Sequence, residues 1–132
     1  MIPTGVLTPY NAQATLHMKV GFFALLLPIA VDERVSDIWR SYFAQRLFWD
    51  TGLKVGFMTR PLVVQDQNQQ NHLGDLEAER DLHMKSGQLV EFLGSWRGNG
   101  ETLVERMEEL WIALYEHHCI ELHDVRNRER NF

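Results

Sequence analysis

The chain has 132 residues, 45% hydrophobic and 23% charged, which suits one globular domain burying on the order of two-thirds of its unfolded surface and excludes a disordered polypeptide. Thirteen basic residues against eighteen acidic ones leave a net charge of -5, which excludes a general affinity for phosphate backbones, so no nucleic-acid partner is expected. The single cysteine, Cys119, excludes an internal disulfide and leaves the redox compartment open.

Residues 1–18 carry Pro3, Gly5 and Pro9 among small polar residues and read as an extended loop. Asn11, Gln13 and Thr15 alternate there. In an extended segment they project to one side, where they could line a polar groove; the other reading is a surface loop whose amides bond their own backbone. Residues 20–31 are apolar, but a membrane-spanning helix needs about twenty such residues and Pro28 interrupts this run, so no transmembrane segment is expected. Met18 and Lys19 ahead of the run mimic a signal peptide only if translation starts at Met18; the other reading is a short buried helix over 19–27, ended by Pro28.

The most amphipathic aromatic stretch is R-V-S-D-I-W-R-S-Y-F-A-Q-R-L-F-W at residues 34–49. Ile38, Trp39, Tyr42, Phe43, Leu47 and Trp49 recur at three- and four-residue steps and predict a helix with a wide apolar face, leaving Arg40, Gln45 and Arg46 off it. Ser36 is the expected N-cap, Asp37 then falls in the first turn, and Gly52 is the expected C-terminal stop.

Beyond it, alternation over 53–57 and a short apolar run over 62–65 predict two strands joined through Thr59, Arg60 and Pro61. Residues 66–72, all amides but for one acid and one histidine, are expected to be a loop. Two helices, 75–85 and 88–96, are predicted on either side of Ser86 and Gly87. Thr102 and Glu105 have capping-box spacing and open a last long helix, with Leu103, Val104, Met107, Leu110, Trp111, Leu114 and Tyr115 as its stripe. The expected organisation is a single or partial domain: a loop over 1–18, helices and short strands over 19–96, an amphipathic helix over 101–119 and a charged tail over 120–132. The expected class is helix-rich α+β, with two short strands and about five helices.

The sequence has no phosphate-binding loop, dinucleotide glycine fingerprint, nucleophile elbow or paired CxxC motif. His117, His118, Cys119 and His123 suggest a metal cluster, yet consecutive residues point different ways around a helix; the alternative is a polar helix end with histidines at its negative pole. Asp37 has two readings. Beside Trp39 and Tyr42, whose rings offer flat apolar faces to a pyranose, it could act as general base toward a sugar hydroxyl; with Arg34 and Arg40 three residues to either side, it could form a helix-surface ion pair.

These residues resemble a family. P-Y-N-A-Q-A-T-L at 9–16, A-L-L-L-P at 24–28, the run at 34–49 and L-V-V-Q-D-Q-N at 62–68 are similar to the STELLO-like glycosyltransferases, Golgi membrane proteins associated with cellulose synthesis in plants and with relatives in animals and other eukaryotes. The resemblance spans residue 5 to about residue 121. A more distant similarity, D-I-W followed by a helix and a short strand, links the chain to the reversibly glycosylated polypeptides, nucleotide-sugar mutases with a GT-A-type fold.

In a GT-A fold the first half carries a D-x-D motif whose carboxylates bind a divalent cation bridging the donor diphosphate. No D-x-D occurs in this chain, and Asp75-Leu76-Glu77 is the nearest approach. The resemblance therefore implies the C-terminal, acceptor-side half of such a domain. It implies Asp37 as the acid that contacts the acceptor or serves as base, and His72 as a metal ligand; Asn11, Gln13 and Thr15 by their alternation, Trp39 and Tyr42 by their rings, and Arg40 are the expected substrate-binding residues. It also implies a manganese or magnesium ion, a nucleotide sugar and a glycan acceptor in the complete enzyme, in the Golgi, with no cofactor held by the isolated chain. H-M-K-V-G at 17–21 departs from the aromatic residues expected there, which alters the groove wall. Two functions are then open: a glycosyltransferase portion completed by a nucleotide-binding half, or a noncatalytic relative that binds a protein partner or itself through its aromatic faces.

Overall fold

The computed structural model describes residues 1–28, 31–59 and 79–120. Its centre is helix α1, Glu33–Thr51. Every residue from Trp39 to Phe48 is buried, so this helix has no solvent face over its middle two turns. Arg40, Gln45 and Arg46, expected off the apolar face, are each only 2% exposed. Three polar side chains inside a domain require partners on every side, and these partners organise the rest of the molecule.

The start of α1 departs from expectation. The Asp32 carbonyl accepts from the backbone N–H groups of Val35 and Ser36, so the helix begins before Ser36. Ser36 is buried inside it, and its hydroxyl donates to the Pro28 carbonyl. The stop is as expected: Gly52 follows the helix with φ +74°, a left-handed conformation that glycine adopts without strain.

Helix α2, Arg80–Ser95, runs straight through Ser86 and Gly87, where two separate helices were expected. A helical glycine costs roughly 1 kcal/mol relative to alanine, which burial of Leu89 and Leu93 outweighs. Ser86 also has a use there, because its hydroxyl accepts from the Trp39 indole N–H at 2.9 Å. Helix α3, Leu103–Glu116, carries the capping box in full. The Thr102 hydroxyl accepts from the Glu105 N–H at 3.2 Å, and Glu105 Oε2 accepts from the Thr102 N–H at 2.9 Å. The Thr102 N–H above all, with that of Glu101, holds the Glu105 carboxyl below its ordinary pKa. Thr102→Ala is expected to destabilise the chain by about 1 kcal/mol, read as a lowered urea midpoint with an unchanged slope.

The three helices share one core. Trp39, Tyr42, Phe43 and Leu47 of α1 meet Leu89 and Leu93 of α2 and Met107, Leu110, Trp111 and Leu114 of α3. Phe43 and Trp111 cross edge to face at 5.7 Å. Val104 and Tyr115, expected in the α3 stripe, lie at its exposed margin. A smaller cluster of Ala24, Ala44 and Phe48 joins α1 to a short 3₁₀ helix, Lys19–Leu25. That segment is shorter and tighter than the helix expected over 19–27, because seven residues ahead of a proline give too little length to propagate an α-helix.

The expected α+β class is not what the chain adopts. Among the described residues every regular element is helical and none is a strand. Leu53 and Val55 of the first expected strand do turn inward, against the Phe48 cluster. Their alternation selects a buried side without supplying a neighbouring strand; the backbone there accepts at the Val55 carbonyl from the Ile2 N–H at 2.8 Å, and one such bond is no ladder. The second expected strand, over 62–65, lies outside the described residues, as do the loop at 66–72 and the tail beyond 120. No helix among the described residues is long and apolar enough to cross a membrane.

Candidate functional site

One face of α1 presents Asp37, Ser41 and Gln45, four residues apart and therefore stacked along the helix. Each takes a backbone group from the N-terminal segment. Asp37 Oδ2 accepts from the Ala12 N–H at 2.6 Å, Ser41 Oγ from the Tyr10 N–H at 3.2 Å, and Gln45 Oε1 from the Thr8 N–H at 3.1 Å. Gln45 Nε2 returns a bond to the Thr8 carbonyl at 2.6 Å. Two helical steps of four residues advance about 12 Å, and two extended steps of two residues advance about 13 Å. The matching rises let a helix hold an extended chain in register, antiparallel to itself, as a sheet edge would.

Arg40 locks the end of this arrangement. Its Nε–H and Nη2–H donate to Asp37 Oδ1 at 3.1 and 2.5 Å, and its Nη1 donates to the Ala24 carbonyl at 3.3 Å. The same Nη1 lies 3.3 Å from His17 Nε2, and the guanidinium carbon lies 5.6 Å from the Tyr10 ring centre. A guanidinium has no acceptor. In this geometry His17 Nε2 therefore accepts, and the imidazole is neutral with its proton on Nδ1.

Beyond this anchor the chain turns at residues 12–14 and borders a cavity of about 440 Å³. Tyr10, Thr15, His17, Phe48, Lys54 and Phe57 are among its walls. This volume falls in the ordinary range of small-molecule sites, roughly 300–1,000 Å³.

The sequence-predicted site residues separate into three groups. Thr15 lines the cavity, its hydroxyl donating to the Asn11 carbonyl at 2.5 Å, while Asn11 and Gln13 are exposed on the turn. Asp37 and Arg40 stand behind the wall and hold it. Trp39 and Tyr42 face the helical core, Trp39 with its indole N–H on Ser86 and Tyr42 with its phenol pKa raised by burial. His72 and His123 lie outside the described residues. No three histidine, cysteine or acidic side chains come together to hold a metal ion among the described residues. His117 packs its ring 4.3 Å from Phe92, and burial pushes the Cys119 thiol up from its ordinary pKa.

Tyr10, His17 and Lys54 are site residues that periodicity does not single out. Ser41 and Gln45 had a usable signal: with Asp37 they place three hydrogen-bonding side chains at i, i+4 and i+8 on one stripe of the helix.

Charge in the site follows from burial. The His17 pKa is lowered, first by desolvation and then by the Arg40 cation, and that of Tyr10 is raised by burial against the opposing pull of Arg40. For His17 the unfolded chain takes up a proton first as pH falls below about 6.5, so the protein loses stability on acidification through that point. His17→Gln is expected to flatten this acid limb of the thermal midpoint between pH 7 and 5.

A profile of the STELLO glycosyltransferases matches residues 34–129, a segment that holds α1 from its second residue onward and all of α2 and α3. The chain is 32% identical over 115 residues to a protein of Arabidopsis thaliana named "Probable glycosyltransferase STELLO2", covering 87% of this chain and 15% of that protein. It is 31% identical over 115 residues to "Probable glycosyltransferase STELLO1" of the same plant, covering 87% of this chain and 14% of that protein. No solved structure gives a significant match. The chain thus spans about a seventh of the length of these relatives. The chain belongs to the STELLO glycosyltransferase family.

Proposed function

We propose that this chain is the acceptor-side portion of a glycosyltransferase that moves a sugar from a nucleotide donor once a nucleotide-binding half completes the site. What supports the reading, beside family membership, is the cavity of about 440 Å³ whose wall is pinned to the family-matched helix α1. Its lining is mostly apolar, with the rings of Tyr10, Phe48 and Phe57 and the polar groups of Thr15, His17 and Lys54 among it, a mixture that a sugar ring with apolar faces and a hydroxyl edge can use. In this reading, because the sequence carries no D-x-D, the divalent cation and the donor diphosphate would be held by residues elsewhere. A Golgi setting belongs to the same proposal.

In this reading Asp37 is a positioning residue. Both its oxygens are occupied by donors, Arg40 on one and the Ala12 N–H on the other. A base must free an oxygen for the substrate proton. The test is steady-state kinetics in the complete polypeptide, following nucleoside diphosphate release from a nucleotide sugar with a glycan acceptor. Asp37→Asn is expected to raise the acceptor KM while kcat stays within about tenfold. A fall in kcat of about 100-fold at unchanged KM would make Asp37 the base instead. Wild-type protein that releases no diphosphate from any nucleotide sugar would remove the transferase reading altogether.

One observation favours the second reading, an interaction module. Leu16, Met18, Val20, Phe57 and Met58 border the cavity and are all more than 60% exposed. Apolar exposure on that scale marks a contact surface. If the surface serves association, light scattering of the chain at high concentration gives a dimer or larger species; a stable monomer excludes self-association.

A further inference from the structure

The cavity has one polar wall element whose hydrogen-bonding sense is fixed from behind. Arg40 is 2% exposed and held by the Asp37 carboxylate and the Ala24 carbonyl, so its guanidinium cannot turn away from His17. Its Nη1 can only donate to His17 Nε2, 3.3 Å away. That contact consumes the ring's acceptor and leaves Nδ1 as a donor. Protonating Nε2 would break the contact and set a second cation against the guanidinium. The groups facing His17 are Arg40 and Asp37 from α1 and Tyr10 from the N-terminal segment, with Lys54 across the same cavity. The Tyr10 ring lies 6.1 Å from the His17 ring, and Phe57, 61% exposed, stands on the wall formed by residues 53–58.

We infer that this cavity is a pyranose subsite, in which the neutral His17 ring donates from Nδ1 to a sugar hydroxyl oxygen while the apolar wall that carries Phe57 takes the C–H face of the ring. The inference rests on the acceptor-side reading above and adds the residue that fixes ligand orientation. A pyranose matches both halves of the chemistry. Its hydroxyl oxygens accept hydrogen bonds without carrying charge, and its C–H faces lie against aromatic carbon. Arg40 with Asp37 acts here as a positioning pair, because it sets the tautomer of His17 and does not itself line the cavity.

The test is binding to the 132-residue chain, by titration of cellotriose and of maltotriose with nitrogen-detected imidazole spectra of His17. The expected result is saturable binding of at least one trisaccharide, a Nδ1–H tautomer in the free chain, and a shift of Nδ1 but not of Nε2 on addition of sugar. His17→Phe keeps a ring and is expected to weaken binding about tenfold, the equivalent of one neutral hydrogen bond. His17→Gln restores a donor and is expected to bind within about threefold of wild type. Thermal midpoints of both variants, measured beside the titrations, report folding separately. Equal affinity in wild type and a folded His17→Phe chain overturns the inference, as does an Nε2–H tautomer. Saturable binding of octanoate with none of either sugar also overturns it, making the cavity an acyl site. None of these outcomes depends on nucleotide-sugar turnover, so a failure here is separable from a failure of the transferase reading.

Discussion

Replacing Arg46 with alanine is expected to destabilise the chain by about 3 kcal/mol, seen as a drop of about 10 °C in the thermal midpoint. Arg46 is 2% exposed and its guanidinium lies over two indoles, 5.5 Å from the Trp49 ring centre and 4.8 Å from that of Trp96. Its Nε and Nη2 both donate to the Trp96 carbonyl, at 3.2 and 2.9 Å, and so tie the end of α2 to α1. The third nitrogen, Nη1, lies 3.0 Å from Asp50 Oδ1 but makes no aligned hydrogen bond, so that contact is a charge pair alone. Two charge-assisted bonds and two cation–π faces are lost together. The penalty stays near the low end for a broken buried pair because the groups left behind keep partners: Arg106 remains 3.2 Å from Asp50, and Arg97 still donates to the Trp96 carbonyl at 2.7 Å. Arg46→Lys is expected to recover less than half, since an ammonium can neither fork across one carbonyl nor stack flat over rings. A midpoint within about 2 °C of wild type for Arg46→Ala would show that the indoles close over the gap unaided.

Arg40→Leu is the second large effect, and its signature is local as well as global. The expected loss is about 2–3 kcal/mol, tempered because the Asp37 side chain is 24% exposed and water can hydrate the anion left behind. The more diagnostic change is in the N-terminal segment. Without the guanidinium, Asp37 loses its orientation toward the Ala12 N–H, and His17 loses the donor at Nε2. Amide exchange at Ala12 is therefore expected to accelerate at least tenfold, while amides in the middle of α3 slow or quicken only with global stability. Uniform acceleration across both regions would mean that Arg40 supports the core and not the wall.

Three physical circumstances separate what was legible in the sequence from what was not. Two local signals read correctly, Gly52 ending α1 and the Thr102 and Glu105 pair opening α3, because each acts through backbone groups within a few residues; Ser36, read as the N-cap, instead lies inside the helix and bonds the Pro28 carbonyl. Signals that depend on a partner failed. Leu53 and Val55 alternate as a strand would, yet no described segment pairs with them. Ser86 and Gly87 look like a break until Trp39, far away in the chain, supplies the indole N–H that makes a helical serine useful. Polar residues on α1 were the hardest, since a three- or four-residue step gives Arg40 a side of the helix without saying whether protein or water lies there. The same reasoning located Asp37 on the helix and offered an ion pair with Arg40 as one of its two readings, but it gave no hint that the pair would grip the backbone at Ala12. The family resemblance, by contrast, rested on residue strings, and it held over α1, α2 and α3.

The grip of α1 on the N-terminal segment has a built-in length limit. Each four-residue step of the helix covers about 6.0 Å and each two-residue step of the extended chain about 6.6 Å, so the two rulers slip by about 0.6 Å per rung and agree for only a few rungs. After Gln45, Ser41 and Asp37 the mismatch is comparable to the tolerance of a hydrogen bond, and it is there, at Ala12, that the chain bends away toward the cavity. The vernier also makes the attachment all-or-none with respect to insertions: one extra residue between Asp37 and Gln45 would rotate one rung by about 100° and leave the segment with nothing to climb.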